Sequence, residues 1–285
     1  MENLKENKYY IWLSSLDKIS LKDKIMLLKK YKTPEEIFYK AEKDLIVDDQ
    51  EKRNINELIE KMDKMNIKVI TYKDDEYPDK LKQIYDFPIC LYCKGNLEIL
   101  NTINRNKIAI IGCREYSNYG KKVTDFFAYN LAKRNFTIVS GGARGIDSFA
   151  HLGSINAKKG TISVLGNGLD YIYPPENREL EEKIIQNNGL IISEYIVGTR
   201  PSKYTFPARN RIISAISDGV LVVEAKQRSG TLITVDFALE QGKNIYVIPG
   251  NIDALNSVGT NELIKQGAKV VTKIEDILED FKSKI

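Results

Sequence analysis

Residues 107–147 constrain the fold of this chain more than any other stretch. Residues 108–111 form a short apolar run that stops at Gly112. Residues 136–139 are predicted to form a second strand, which stops at the small residues 140–142. Short, fully apolar runs are typical of strands buried on both faces of a parallel sheet. Because apolar residues at helical spacing lie between the two runs, the stretch predicts a strand, a glycine turn, a helix, a second strand and a second glycine turn.

The same alternation continues to the end of the chain. Strands are predicted at 107–111, 136–140, 161–165, 190–194, 219–223, 244–248 and 269–271. Helices are predicted near 117–134, 147–158, 177–187, 207–217, 231–241, 260–266 and 274–282. Alternation of this kind indicates an α/β fold, in which helices cover both faces of a mostly parallel sheet.

The first hundred residues have a different character. Apolar residues at helical spacing predict a small helical module at 1–65, in which Thr33 caps a helix that starts at Pro34. Trp12 is interpreted as a core residue of this module. Residues 66–102 are predicted to be a connecting segment with short strands, which leaves 103–285 for the α/β domain.

Composition excludes several classes of protein. The chain has 285 residues and a net charge of +4, with 24 basic and 19 acidic residues after position 100. This basic excess permits a polyanion as partner but does not require one. No apolar stretch approaches membrane-spanning length, and the first residues lack the apolar core of a signal peptide, so a cytoplasmic location without membrane contact is expected.

The familiar catalytic and cofactor motifs are missing. There is no phosphate-binding P-loop, and Tyr171 occupies the third glycine position of the sequence that begins at Gly166. His151 is the single histidine, and no serine lies in a nucleophile elbow. Cys90 and Cys93 form one C-x-x-C pair with no second pair. The sequence therefore predicts no catalytic residue, no metal and no dinucleotide cofactor.

Small and basic residues follow the predicted strands. They lie in four turns and one loop: 112–114, 140–145, 166–168, 228–231 and 201–211. The carboxyl ends of parallel strands meet at one edge of a sheet, where ligands bind. In the loop, basic residues alternate with Tyr204 and Phe206, a pattern that suits single-stranded nucleic acid. An individual arginine could instead be an ordinary surface residue.

Acidic residues are predicted at the same edge: Asp147, Asp170, Glu194 and Glu224. A carboxylate there could be a catalytic acid or base, or a ribose ligand. It could equally pair with Arg144, Arg209 or Arg211 and hold loops in place, and this pairing role is favoured.

Several motifs, taken in order, resemble the DNA-processing protein A family (DprA, also called Smf). They are IAIIGCREYSNYG, IVSGGARGIDSFAH, ISVLGNGLDYIYPPEN, FPARNRIISAISDGVLVVEAKQRSGTLIT and ALEQGKNIYVIPGN. The resemblance covers roughly residues 65–275. It implies an extended Rossmann-like domain that binds single-stranded DNA, without enzymatic activity and without cofactor. It further implies protection of incoming single strands in natural transformation, loading of the RecA recombinase, and a homodimer.

The resemblance also implies which residues act. Those expected in the DNA pocket are Gly112, Cys113, Arg114, Ser140, Gly141, Gly142, Arg144, Gly166, Lys203, Phe206, Arg209, Arg211, Ser229, Gly230 and Thr231. Those expected at the dimer contact are Ile252, Leu255, Leu263 and Ile264.

The chain departs from the family pattern at one residue and in one expected domain, and one alternative function stays open. The family usually has serine where this chain has Cys113, and many members carry a winged-helix domain, for which no room is expected before Ile285. The alternative is a nucleotide-processing phosphoribohydrolase of the same fold superfamily. Residues 227–234 lack the glutamate that follows the threonine in such enzymes, which argues against it.

Overall fold

The computed structural model describes residues 1–40, 55–101 and 105–284, and elements are numbered here over those residues. The strands are β1 Lys68–Thr71, β2 Cys90–Gly95, β3 Lys107–Ile111, β4 Thr137–Ser140, β5 Thr161–Leu165, β6 Leu190–Ser193, β7 Gly219–Val222, β8 Asn244–Val247 and β9 Lys269–Val270. The helices of the first part are α1 Glu2–Glu6, α2 Lys8–Ser15, α3 Leu21–Tyr31, α4 Pro34–Lys40, α5 Ile55–Lys64 and α6 Asp79–Lys82. Those of the second part are α7 Asn118–Lys133, α8 Ile146–Asn156, α9 Arg178–Gln186, α10 Thr205–Ala215, α11 Gly230–Glu240, α12 Val258–Lys265 and α13 Glu275–Leu278.

All nine strands form one sheet in the order β1-β2-β6-β5-β4-β3-β7-β8-β9. The strands from β3 onward pair in parallel, whereas β1 and β2 pair antiparallel beside β6. The chain therefore leaves β3 in one direction through β4, β5 and β6, and returns on its other side through β7, β8 and β9. This reversal is a topological switch point, the place where open α/β sheets bind their ligands.

Helices cover both faces of the sheet, as predicted. Successive strand residues point to opposite faces, so Ala109 and Ile111 of β3 pack with Ile212 of α10 and Val235 of α11. Ile108 and Ile110 join a separate cluster on the other face, with residues of α7, α8 and α13. The prediction of an α/β fold with a mostly parallel sheet is confirmed, because every strand predicted from 107 onward is present within one or two residues.

The connecting segment contributes to the same sheet. Its strands β1 and β2 form an antiparallel hairpin-like pair, and β2 pairs with β6 through Tyr92 opposite Ser193. Without them, β6 would be an open edge of the parallel sheet. The predicted boundary between 102 and 103 lies outside the described residues, and the division into three regions stays a prediction.

The N-terminal helices pack into a hydrophobic cluster that they share with the sheet and with α9. Trp12 and Ile37 are buried there together with Tyr92 of β2, so this helical layer rests on the sheet extension. The Trp12 and Phe38 rings lie 4.9 Å apart. The predicted cap at Thr33 is confirmed, since its Oγ1 accepts the Glu36 amide at 3.2 Å. Within the described ranges, no helix is both long and apolar enough to cross a membrane.

Candidate nucleic-acid interface

A cleft of about 520 Å³ opens at the switch point, where β3, β4 and β7 end. Its lining combines the turn after β3, the first turn of α8, the start of α10 and the start of α11. The polar and aromatic lining residues are Cys113, Arg114, Glu115, Asp147, Lys203, Phe206, Arg209, Asn210, Lys226, Ser229, Thr231 and Thr234. A smaller cavity of about 40 Å³ adjoins the cleft and shares Arg114, Ala143 and Phe206 with it.

The turn after β3 fixes the position of Arg114. A side chain at Gly112 would come within 2.7 Å of Ile146, so only glycine allows this close approach of the turn to α8. The Cys113 carbonyl then accepts the Ile146 amide at 3.2 Å. Arg114 itself is exposed and lines both cavities, and its guanidinium lies 5.5 Å from the centre of the Phe206 ring. No ion pair of Arg114 is found among the described residues, which leaves its charge available to an anion.

The glycine turn after β4 borders the smaller cavity. Gly141, Gly142 and Arg144 line it together with Gly166 from the turn after β5. The Asn177 side chain donates to the Gly142 carbonyl at 2.7 Å and holds this turn against the residues that follow β5. Arg144 is exposed but paired with Glu176, one bond being 3.2 Å long. The turn is therefore pre-shaped, and its arginine already has a carboxylate partner.

Arg209 lines the cleft, but its guanidinium is bonded to other groups of the protein. It is buried, donates to the carbonyl oxygens of Gly141 and Val164, and reaches the Asn210 side chain at 3.1 Å. Burial lowers the pKa of Arg209 to about 10, and the neighbouring Asp147 opposes this shift. Burial likewise raises the pKa of Asp147, against the effect of Arg209. The bonds to Gly141 and Val164 connect the end of β4 with β5. Arg209 therefore fits a supporting role better than a phosphate contact.

Arg211 does not line the cleft, contrary to the expectation from the sequence. Its guanidinium is buried and makes two bonds of 2.6 Å to the Glu194 carboxylate. It also donates to the Asp86 carbonyl at 2.9 Å. The side chain points into the protein because α10 turns successive residues by about 100°, so residues two apart in the FPARNR motif face different surroundings.

Ser140 does not line the cleft either, contrary to the expectation from the sequence. It is completely buried, and its hydroxyl donates to the Ile110 carbonyl at 2.7 Å in the neighbouring strand. The residue ends β4, so its side chain belongs to the sheet interior rather than to the cleft.

The four acidic residues at this edge are all hydrogen-bonded. Glu194 pairs with Arg211, as the favoured pairing role predicted. Asp170 pairs instead with Lys61 at 2.6 Å, and Glu224 accepts the Ser117 amide at 3.0 Å. Asp147 accepts the Ala143 amide at 3.3 Å. Each carboxylate thus holds a loop or a helix start in place.

The start of α11 lies in the lining of the cleft. Ser229 precedes the helix, but its hydroxyl makes no capping bond, and this oxygen is buried without a partner among the described residues. Gly230 and Thr231 form the first turn and line the cleft. A side chain at Gly230 would meet nothing within 4 Å, so there is open space in front of the helix start. The amides of a first helical turn and the helix dipole both favour an anion here.

Some polar residues of the lining were not predicted, among them Lys226 and Asn210. Lys226 lies in the cleft and is paired with Glu115, and Asn210 lies beside Arg209. Lys226 follows β7 by four residues, so the rule that ligands bind at carboxyl ends of strands could have found it. Lys203, which was predicted, is exposed and lies 5.1 Å from the Tyr204 ring centre.

The environment of His151 does not suit a catalytic base. It is buried, and its Nδ1 lies 2.8 Å from the Thr161 hydroxyl, which itself donates to the Ile138 carbonyl. Burial lowers the pKa of His151 to about 3, so the ring is neutral at physiological pH. The three cysteines are buried free thiols, and the residues that the structure describes contain no cluster suited to a metal ion.

The four predicted dimer residues fall into two groups. Ile252 and Leu255 are 94% and 75% exposed. Leu263 is buried in the main core, and Ile264 is half-buried against it. Only the first two therefore offer an apolar surface to a partner.

Comparisons with known proteins agree with this architecture. The family model described as DNA recombination-mediator protein A matches residues 68–282. DNA processing protein DprA of Streptococcus pneumoniae is 44% identical over 208 residues, which are 73% of this chain and 72% of that protein. DNA processing protein DprA of Bacillus subtilis is 41% identical over 215 residues, or 75% of this chain and 71% of the relative.

Solved structures show the same similarity. The X-ray structure of DprA from Streptococcus pneumoniae superposes with a TM-score of 0.76 at 34% identity, covering 98% of this chain and 95% of the other. A structure of DNA processing protein A from Helicobacter pylori, described for its single-stranded DNA binding mode, has a TM-score of 0.68 at 35% identity and covers 75% and 96%.

Proposed function

The chain belongs to the DNA recombination-mediator protein A family, and on that premise we propose that it binds single-stranded DNA in the cleft at the ends of β3, β4 and β7. The observation that carries the proposal is the cation–π contact of Arg114 with Phe206, in a cleft that the start of α11 also lines. A cation and helix amides suit phosphate, whereas an accessible aromatic ring suits an unpaired base.

The role proposed is binding rather than catalysis. A hydrolytic enzyme needs an acid or base that is free to exchange a proton with substrate. Asp147, Asp170, Glu194 and Glu224 are engaged in bonds that hold loops, and His151 is buried away from solvent. Glu115, which lines the cleft, is paired with Lys226. A phosphoribohydrolase remains the other candidate, and release of free base from AMP is the assay that distinguishes it. Base release that is lost in Asp147→Asn would favour that enzyme.

We further propose that the bound strand is protected and passed to a RecA recombinase, as the family resemblance implies for recombination during natural transformation. An exposed backbone in the cleft would be shielded from nucleases by the loops around it. The test is assembly of RecA on strands coated with a single-strand-binding protein, in the presence of the wild-type chain or of Arg114→Ala. Equal assembly rates with and without the wild-type chain would refute this role.

A homodimer is proposed through the apolar surface of Ile252 and Leu255, next to α12. Large exposed apolar side chains that lie close together commonly mark a protein contact. Sedimentation of the wild type at micromolar concentrations should show a dimer, and Ile252→Asp with Leu255→Asp should sediment as a monomer. Met26→Asp, at another exposed apolar residue on α3, is the matched control and should leave the dimer intact. A monomeric wild type would end the proposal.

For the cleft itself, the experiment is an anisotropy titration with a labelled single strand and with a duplex of the same sequence. Tighter binding of the single strand is expected, because only unpaired bases can stack on Phe206 and Tyr204. Equal or tighter binding of the duplex would contradict the proposal.

A further inference from the structure

Helix α7 has an outer face made of aromatic and basic side chains. This face, named here the α7 track, consists of Tyr119, Lys122, Phe126, Tyr129 and Lys133. The spacings of three and four residues place all five on one side of the helix. The opposite side, with Thr124, Phe127 and Leu131 among others, is buried against the sheet and α8.

The aromatic residues of the α7 track are exposed to an unusual degree. Phe126 is 52% exposed and Tyr129 is 39% exposed, although both lie in the middle of a long helix. Neither belongs to the buried cluster beneath the helix. The Lys133 ammonium lies 5.7 Å from the centre of the Tyr129 ring. Fold stability gives no reason for these rings at the surface, so a binding role is the better explanation.

The charge of this helix complements a polyanion. Lys121, Lys122 and Lys133 stand against Asp125 alone within α7. Arg134, which follows the helix, lies 3.9 Å from Glu275, so the excess positive charge ends there. Protein–protein contacts are usually depleted in lysine at their centre. Lysines interleaved with aromatic rings are instead the composition that binds single-stranded nucleic acid.

The α7 track begins five residues after Arg114, at the start of α7, where the Tyr119 hydroxyl donates to the Pro249 carbonyl at 2.9 Å. Arg114, at the cleft, is two residues before Tyr116, whose ring lies 4.6 Å from the Phe149 ring. The Lys121 ammonium lies 5.1 Å from the same Phe149 ring. From Tyr119 to Lys133 the helix then extends about 21 Å away from the cleft. Tyr116, Phe149 and Lys121 thus form a basic and aromatic group between Arg114 and the first turn of α7, from which the track extends along the helix.

We propose that the α7 track is a second binding segment for single-stranded DNA, which holds the part of the strand that leaves the cleft. The proposal rests on the function proposed for the cleft and extends its binding site. Bases stack on Phe126 and Tyr129, and Lys122 and Lys133 contact phosphates. A short strand fills the cleft alone, whereas a longer strand occupies both segments.

The first test compares strand lengths on the intact protein. Phe126→Ala with Tyr129→Ala should leave binding of an oligothymidylate of about 6 nucleotides unchanged and weaken binding of one of about 20 nucleotides roughly tenfold. Tyr85→Ala, at an exposed tyrosine on the loop before β2, is the control and should change neither. Melting temperatures of all variants verify the fold, and Lys122→Ala with Lys133→Ala gives an independent pair with the same expected length dependence.

The second test locates the DNA directly. Strands that contain 5-iodouracil cross-link to aromatic side chains, and trypsin releases residues 123–133 with Phe126 and Tyr129, and residues 204–209 with Phe206. Cross-links on both peptides support the proposal. Cross-links on 204–209 alone overturn it while leaving the cleft function intact, and cross-links on neither peptide overturn both. Loss of dimer without loss of long-strand affinity in the α7 variants would show that a second protein copy covers this face, which also overturns it.

Discussion

At the residue scale, the central distinction is between exposed arginines without an ion pair and buried arginines that bond to other groups of the protein. Arg114 is exposed and stacked on Phe206, whereas Arg211 is buried and paired with Glu194. A sequence shows both as basic residues near a strand end. Burial separates them: Arg114 lies in the exposed turn after β3, whereas Arg211 lies on a buried face of α10. The sequence could therefore predict the set of candidates but not the role of each.

This distinction predicts opposite outcomes for two substitutions. Arg114→Ala should weaken single-strand binding roughly tenfold to hundredfold, the value of about 1.5–3 kcal/mol for a charge-assisted bond to phosphate. Its melting temperature should barely move, because an exposed arginine contributes little to stability. Arg211→Ala should lower the free energy of unfolding by about 3 kcal/mol, since it removes a buried guanidinium and leaves the largely covered Glu194 carboxylate without its arginine.

Urea denaturation and anisotropy on the same two variants provide the measurement. Arg114→Lys serves as the conservative variant and should keep part of the affinity. A loss of DNA affinity in Arg114→Ala that is fully explained by unfolding would show that Arg114 holds the loops rather than the DNA.

His151 gives a prediction about pH. Its pKa in the folded protein is about 3, below the ordinary value of 6.5 because the ring is buried. Between these two values the unfolded chain binds a proton that the folded protein does not, so the contribution of His151 to stability is complete above pH 6.5 and is lost as pH falls towards 3. The expected loss is about 1.4 kcal/mol per pH unit.

The measurement compares the unfolding free energy of the wild type with that of His151→Gln at pH values from 7 to 4. The variant should lack this one-proton slope. Glu181, whose pKa burial raises to about 7, contributes the opposite slope in both proteins and cancels from the difference. Parallel pH profiles would mean that His151 is accessible and titrates in the folded state.

At the element scale, helix starts perform two different tasks. Ser117 precedes α7, and its hydroxyl accepts the Gly120 amide at 3.0 Å while donating to Glu224. Ser229 precedes α11 and does neither. The first is a structural cap, and the second is a cap position whose buried hydroxyl has no partner among the described residues.

The two serines form a matched pair for substitution. Ser117→Ala should reduce the free energy of unfolding by about 1 kcal/mol or more, the usual cost of a lost cap. Ser229→Ala should leave stability unchanged, because no bond is lost, but should weaken single-strand binding severalfold. Thermal unfolding and anisotropy of both variants decide the matter, and a destabilised Ser229→Ala with intact DNA binding would assign that hydroxyl to the fold.

Predictability also differs between elements. The strands from β3 onward were predicted because most are short apolar runs that alternate with helical patterns, which is a purely local signal. The pairing of β2 with β6 was not, since it joins residues about a hundred positions apart and nothing local specifies the partner. The open start of α11 was predicted as a turn, yet the orphan hydroxyl of Ser229 is visible only in three dimensions.

At the scale of the whole molecule, the sheet order explains why the candidate site lies where it does. β3 is flanked by β4 and β7, whose connections run in opposite directions, so the turns after these three strands surround one space. The positive charge follows the same arrangement. Arg114 and Lys203 line the cleft without ion pairs among the described residues.

The salt dependence of single-strand binding tests this account most directly. Counterion release gives a log–log slope of about −0.7 for each phosphate neutralised on a single strand. With Arg114 and Lys203 each contacting one phosphate, a short oligothymidylate should bind with a slope of about −1.4 or steeper, and Arg114→Ala should flatten it by about 0.7. An affinity that does not change with salt, or a slope that is the same in wild type and Arg114→Ala, would contradict the claim that this cleft holds the DNA backbone.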